Sequence, residues 1–94
     1  MNSYEHIIYG PTEQGLGRVA AALTAAGYLV VGPPEFDSRR ANRDPSTAWE
    51  LIAYGSLEKA FAAAGRDDIE AACRTHGARY SCGGCFVAAP NPRD

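Results

Sequence analysis

The sequence predicts an α+β domain, a four-stranded antiparallel sheet with its helices on one face. Three observations point there. The apolar spacing switches between about two and about 3.6 residues in the order β-α-β-β-α-β. The two principal helical stretches run into glycines, Gly27 and Gly77. The strand-like stretches are rich in β-branched and aromatic residues. This is the order of the ferredoxin-like βαββαβ sandwich, a scaffold that hosts many unrelated functions. At 94 residues and 46% apolar, the chain holds one core. Residues 1–94 read as a single domain, ordered over about 4–89, with a disordered polar tail at 90–94.

The elements follow in order. Residues 4–9 form strand 1 and stop at Gly10-Pro11. Thr12 caps a helix whose stripe is Leu16, Val19, Ala20 and Leu23, and Glu13 suits its positive end. Gly15 and Gly17 weaken its first turns, which implies a close backbone approach or a frayed start. Strand 2 covers 28–31 and is stopped by Gly32-Pro33-Pro34. Residues 33–47 are polar and read as a long hairpin connection. Strand 3 covers 48–54, with Trp49, Leu51 and Ala53 on one face and Glu50, Ile52 and Tyr54 on the other. Ser56 caps a short helix over 57–64, and Asp67 caps the next, whose inner stripe is Ile69, Ala72, Cys73 and His76. Strand 4 comprises 79–81 and 85–88, bent or bulged at Gly83-Gly84.

Composition excludes several classes. A net charge of −2 gives no basic field for nucleic acid or anionic membrane. No stretch is long and apolar enough to span a bilayer, so a cytoplasmic protein is expected. Three cysteines make a poor disulfide framework, in keeping with a reducing compartment.

No catalytic constellation stands out, and no catalytic residue is assigned. The turn from Gly10 to Gly17 sits where a phosphate loop would, but Leu16 and Gly17 occupy the lysine and hydroxyl positions. Asp67, Asp68 and Glu70 at a helix start would repel DNA, so the two C-terminal helices do not read as a helix-turn-helix. His6 has no acid or nucleophile partner in the sequence and reads as a sheet residue. Cys73, His76, Cys82 and Cys85 form two pairs at spacing three, the arithmetic of a tetrahedral zinc site, although only five residues separate the pairs and Cys73 also fits a core stripe. The expected cofactor is none, and the alternative is a small zinc- or redox-active cysteine protein, with zinc on these four residues or thiol chemistry at Cys82 and Cys85. A small-molecule sensor is a further alternative.

A sheet covered on one face leaves the other open, and aromatic residues occur at both parities, including Tyr4, Tyr9, Tyr28, Trp49, Tyr54 and Tyr80. An open aromatic face signals binding, unless the tail, the long connection or a second copy covers it. Tyr4, Tyr9, Trp49 and Tyr54 are the candidate contact residues. Arg39, Arg40 and Arg43 form a candidate charged rim, because guanidinium groups suit carboxylate and phosphate alike.

Two segments resemble a known family. Ala-Ala-Leu-Thr-Ala-Ala-Gly-Tyr-Leu-Val-Val-Gly-Pro-Pro-Glu (21–35) is similar to the helix, Gly-aromatic turn, strand and Pro-Glu exit of the regulator of ribonuclease activity B family. Ala-Ala-Cys-Arg-Thr-His-Gly-Ala-Arg-Tyr-Ser-Cys-Gly-Gly (71–84) resembles that family's last helix and strand entry. The resemblance implies a ferredoxin-like fold and a non-catalytic protein that inhibits ribonuclease E by binding it. The chain lacks the family's acidic segments and carries Cys82-Gly83-Gly84-Cys85 in place of its aromatic after glycine. A relative turned against another target, such as a phage protein blocking a CRISPR effector or other host defence nuclease, fits the same residues. The expected partner is therefore a protein, a nuclease or nucleoprotein complex, without direct nucleic-acid or membrane contact, and a homodimer stays open.

Overall fold

In the computed structural model the described residues are 2–56, 58, 60 and 67–88, the side chains of 2–3 and 82–88 excepted. The elements are β1 (Asn2–Gly10), α1 (Glu13–Ala25), β2 (Leu29–Phe36), α2 (Ser38–Arg43), a 3-10 turn (Pro45–Thr47), β3 (Trp49–Gly55), α3 (Asp67–Thr75) and β4 (Arg79–Ala88). The sheet runs β2-β3-β1-β4 with every neighbouring pair antiparallel, which is the ferredoxin-like arrangement.

Strand periodicity sorts the sheet residues onto two faces. His6 and Ile8 of β1 and Leu51 and Ala53 of β3 point one way and are buried against Leu16, Val19 and Leu23 of α1 and Ile69 and Cys73 of α3. These residues are the core. Thr12 caps α1 as expected, its Oγ1 accepting from the Gly15 amide at 3.0 Å. At the other end Tyr28 N donates to Leu23 O at 3.0 Å and Gly27 N to Thr24 O at 3.1 Å, with Gly27 at φ +95°. This is a Schellman closure, and it carries the chain straight into β2. α3 ends in the same way, through Ala78 N to Cys73 O at 2.8 Å and Gly77 at φ +70°.

Several boundaries differ from the sequence reading. β2 does not stop at Gly32-Pro33-Pro34 but runs through it to Phe36. Val31 pairs with Ile52 and Glu35 with Glu50, so three residues of β2 lie against one of β3. Two prolines fit here because β2 is an edge strand and the stretch bulges out of the ladder, so their missing N–H groups cost no pairing. Residues 37–47 are not an open connection. Asp37 caps α2 through the amides of Arg39 (2.9 Å) and Arg40 (3.1 Å), and Asp44 caps the 3-10 turn through the Ser46 amide (3.1 Å). β4 is one strand with two register shifts: the expected irregularity at Gly84, and a second at Ser81. Asp67 is the first residue of α3 rather than a residue before it. Of the short helix expected over 57–64, Glu58 and Ala60 are described and helical, with Ala60 N donating to Ser56 O at 3.1 Å. The rest of that helix and the tail at 90–94 lie outside the described residues.

The two glycines of α1 separate in role. A Cβ on Gly15 would stand 3.0 Å from the His76 carbonyl oxygen and 3.0 Å from Thr12 Oγ1, whereas one on Gly17 would meet nothing within 4 Å. Gly15 is thus the close approach between α1 and the end of α3, and Gly17 is a plain propensity loss. Gly17→Ala is expected to stabilise the domain by roughly 0.5–1 kcal/mol in chemical denaturation and Gly15→Ala to give no such gain. Equal effects at both positions would contradict the packing.

Candidate functional site

The face of the sheet away from α1 and α3 carries the other parity, and register arranges it in three rows. Leu29, Tyr54 and Glu5 form the first, Val31, Ile52 and Ile7 the second, and Glu35, Glu50, Tyr9 and Arg79 the third. The middle row is wholly aliphatic across β2, β3 and β1. Val31 is 40% exposed, and Ile7, Ile52, Leu29, Tyr9 and Tyr54 are partly exposed. Tyr54 Oη donates to Glu5 Oε2 at 2.8 Å, a cross-strand pair that orients the phenol on this face.

The third row is bridged by residues 37–47. Arg40 lies with its guanidinium carbon 4.5 Å above the Tyr9 ring, and its Nη1 stands 3.6 Å from Glu50 and 3.4 Å from Asp37. Arg40 Nε also donates to Thr47 O at 2.6 Å. Glu35 and Glu50 are directly opposed, a like-charge contact that costs stability, and Arg40 offsets it. On the far side Arg79 Nη2 donates to Ser46 Oγ at 3.0 Å and to Asp44 Oδ2 at 3.3 Å. The segment is therefore a strap pinned across the end of the open face. Arg39 and Arg43, one helical turn apart on α2, are exposed and form no ion pair among the described residues.

The predicted contact residues divide accordingly. Tyr9 and Tyr54 lie on the open face and Arg40 packs against it, with Arg39 and Arg43 at its border. Tyr4 and Trp49 do not belong to it: both have the parity of the helix-covered face. Tyr4 stacks at 4.9 Å on His6, and Trp49 packs against the core and meets the exposed ring of Phe36 edge-on at 5.3 Å. Ile7, Ile52, Val31 and Leu29, which form the apolar centre, were not singled out in the sequence. The signal was present in the alternation of strand 3, but aliphatic residues of either parity look alike until the sheet order is known.

Of the four predicted zinc ligands, Cys73 and His76 have described side chains. Cys73 is 2% exposed in the core, and burial, reinforced by Glu70, pushes its thiol up to about 11. That environment favours the protonated, unreactive form of the thiol. His76 is half-buried beyond the end of α3, with its carbonyl oxygen beside Gly15. The Cys82 and Cys85 side chains lie outside the described residues. Among the described residues, no group of three or more His, Cys, Asp or Glu is placed to hold a metal. The turn at Gly10 also has a packing explanation, because a Cβ there would press on Leu16 at 3.1 Å.

Under the helices lies a polar cluster that sequence reasoning missed. His6 is 1% exposed, shares a 2.8 Å hydrogen bond between Nδ1 and Tyr80 Oη, and is ringed by Tyr4, Tyr28 and Tyr80. Tyr28 Oη donates to Asp68 Oδ1 at 2.8 Å, and the Tyr28 ring lies over Gly55, where a Cβ would come within 2.8 Å. The cluster ties three strands to α3 with His6 buried at its centre.

Comparison with protein-family models, with curated proteins and with solved structures finds no match. No helix among the described residues is long and apolar enough to cross a membrane.

Replacing His6 with Ala deletes the Tyr80 hydrogen bond and opens a cavity, and is expected to cost about 2–4 kcal/mol of unfolding free energy. A loss below half a kcal/mol, measured by urea denaturation, would remove the cluster's structural role. The strap carries a pH signature. Hydrogen bonding from the Arg40 amide holds the Asp37 carboxyl below its ordinary 3.8, and that from Ser46 does the same for Asp44. A lowered carboxylate stabilises the fold above the ordinary value and loses that contribution as pH falls through the lowered one. The NMR shifts of the Arg39 and Arg40 amides should accordingly titrate with a midpoint below 3.8; a midpoint at or above it would mean the cap is not formed in solution.

Proposed function

We propose that the chain is a non-catalytic protein-binding module whose contact surface is the open sheet face, and that its target is a nucleic-acid-processing enzyme which it inhibits by occlusion. The observation that carries the binding reading is the aliphatic Val31–Ile52–Ile7 row, held in register across three strands and flanked by Tyr9 and Tyr54, on a face that neither α1 nor α3 covers. An apolar centre with aromatic flanks and a polar rim is the anatomy of a specific interface. Arg39 and Arg43, displayed by the strap, supply rim charge that speeds encounter more than it holds the complex. The enzyme class of the target rests on the resemblance to the regulator of ribonuclease activity B family, with ribonuclease E or a host defence nuclease as its concrete forms.

The test is affinity capture of the tagged chain from nuclease-treated host lysate, with mass spectrometric identification. The expected result is a ribonuclease or another nuclease captured near one-to-one, reduced at least about tenfold by Ile52→Asp and unchanged by Arg18→Ala on the opposite side. Circular dichroism confirms that each variant is folded. Capture that survives Ile52→Asp in a folded protein would move the contact elsewhere, and an empty lane with folded protein would remove the inhibitor reading for that host.

A further inference from the structure

We propose that the chain self-associates face to face, two copies packing their open sheet faces about a two-fold axis along the Val31–Ile52–Ile7 row. The proposal uses the surface assigned above to a partner but does not require that reading to hold.

The sheet edges argue against the commonest alternative. β2 carries Pro33 and Pro34 in a bulge with Gly32 at φ +66°, and β4 loses register twice within ten residues. Proline and bulges on both edges resist pairing with another strand. The apolar area left to a second copy is the face.

The rows then select the axis. A two-fold parallel to the strands would bring the two straps together, and Arg40 already stands on the third row, 4.5 Å above Tyr9. A two-fold along the middle row reverses the strands instead. It lays the Leu29–Tyr54–Glu5 row of one copy over the Glu35–Glu50–Tyr9–Arg79 row of the other, so each strap overhangs the row that has none. Glu5, a carboxylate on the strapless row, comes over Tyr9 and the Arg40 guanidinium on its ring. That opposite-charge contact is made twice, as an isologous interface requires. The middle rows meet in an aliphatic seam, with the sheets crossing at about 30°.

Area sets the strength. Four strands at ~4.8 Å and seven residues at ~3.4 Å make a face of about 19 by 24 Å. In projection this is below the ~800 Å² per partner of a standard interface, so the dimer is reversible and weakens with added salt. Because one face cannot hold two occupants, self-association and capture of a partner compete.

The experiment is sedimentation velocity of the full chain from micromolar to millimolar concentration, with no partner present. Wild type is expected to pass from monomer to dimer. Ile52→Asp and Val31→Glu should each raise the dimer dissociation constant at least about tenfold, and Glu5→Lys by about tenfold with loss of the salt dependence. Val31 is 40% exposed on an edge strand, so its variant keeps the test intact if Ile52→Asp unfolds. Wild type that stays monomeric throughout overturns the proposal and leaves partner capture to be judged on its own result. A dimer that persists in folded Val31→Glu and Ile52→Asp also overturns it, and one indifferent to Glu5→Lys overturns the axis.

Discussion

The register of β1 between β3 and β4 is the constraint on which the rest depends. β1 is central, and its alternation decides at once which residues the helices bury and which the open face displays. His6 and Ile8 go under α1 and α3 beside Ala53 and Leu51, while Glu5, Ile7 and Tyr9 go to the other side beside Tyr54, Ile52 and Glu50. A slip of β1 by one residue would turn Glu5, Ile7 and Tyr9 toward the helices and put His6 and Ile8 on the open face. Register is firmly held because the error is so costly: His6 would lose Tyr80, and Leu16, Val19 and Ile69 would lose the surface they pack against.

Arg40 is the second joint. It satisfies Asp37 and Glu50, donates to the strap backbone at Thr47 and covers the Tyr9 ring, so one side chain couples the end of β2, α2 and β3. The direct opposition of Glu35 and Glu50 makes sense only with that guanidinium in place. Arg79 closes the far side on Asp44 and Ser46. Arg40, Asp37, Glu50, Arg79 and Asp44 are thereby paired, and the exposed Arg39 and Arg43 enter no ion pair among the described residues.

The two faces use aromatic residues differently. On the helix side Tyr4, Tyr28 and Tyr80 enclose His6, with the Tyr28 hydroxyl on Asp68 and the Tyr80 hydroxyl on His6, which lets a sheet with few large aliphatic residues on that face still fill its core. On the open side Tyr9 and Tyr54 are each held by a charged neighbour, Arg40 and Glu5, so they stand ordered before any partner arrives. Side chains ordered in advance lose less entropy on association.

The sequence by itself determined the element order, the Thr12 cap, the glycine closures at Gly27 and Gly77, the α1 stripe and the two faces of β3, because each depends on residues within a few positions of one another. It also located Arg39, Arg40 and Arg43 and the open-face tyrosines Tyr9 and Tyr54. Only the tertiary structure decided that Tyr4 and Trp49 belong to the covered side, that Pro33 and Pro34 sit inside an edge strand, and that Asp37 and Asp44 turn a polar connection into a strap. It alone brought His6 to Tyr80 and joined Val31, Ile52 and Ile7 into a row. Those facts depend on which strand neighbours which, and pairing β1 with β3 across some forty residues leaves no local trace in the chain.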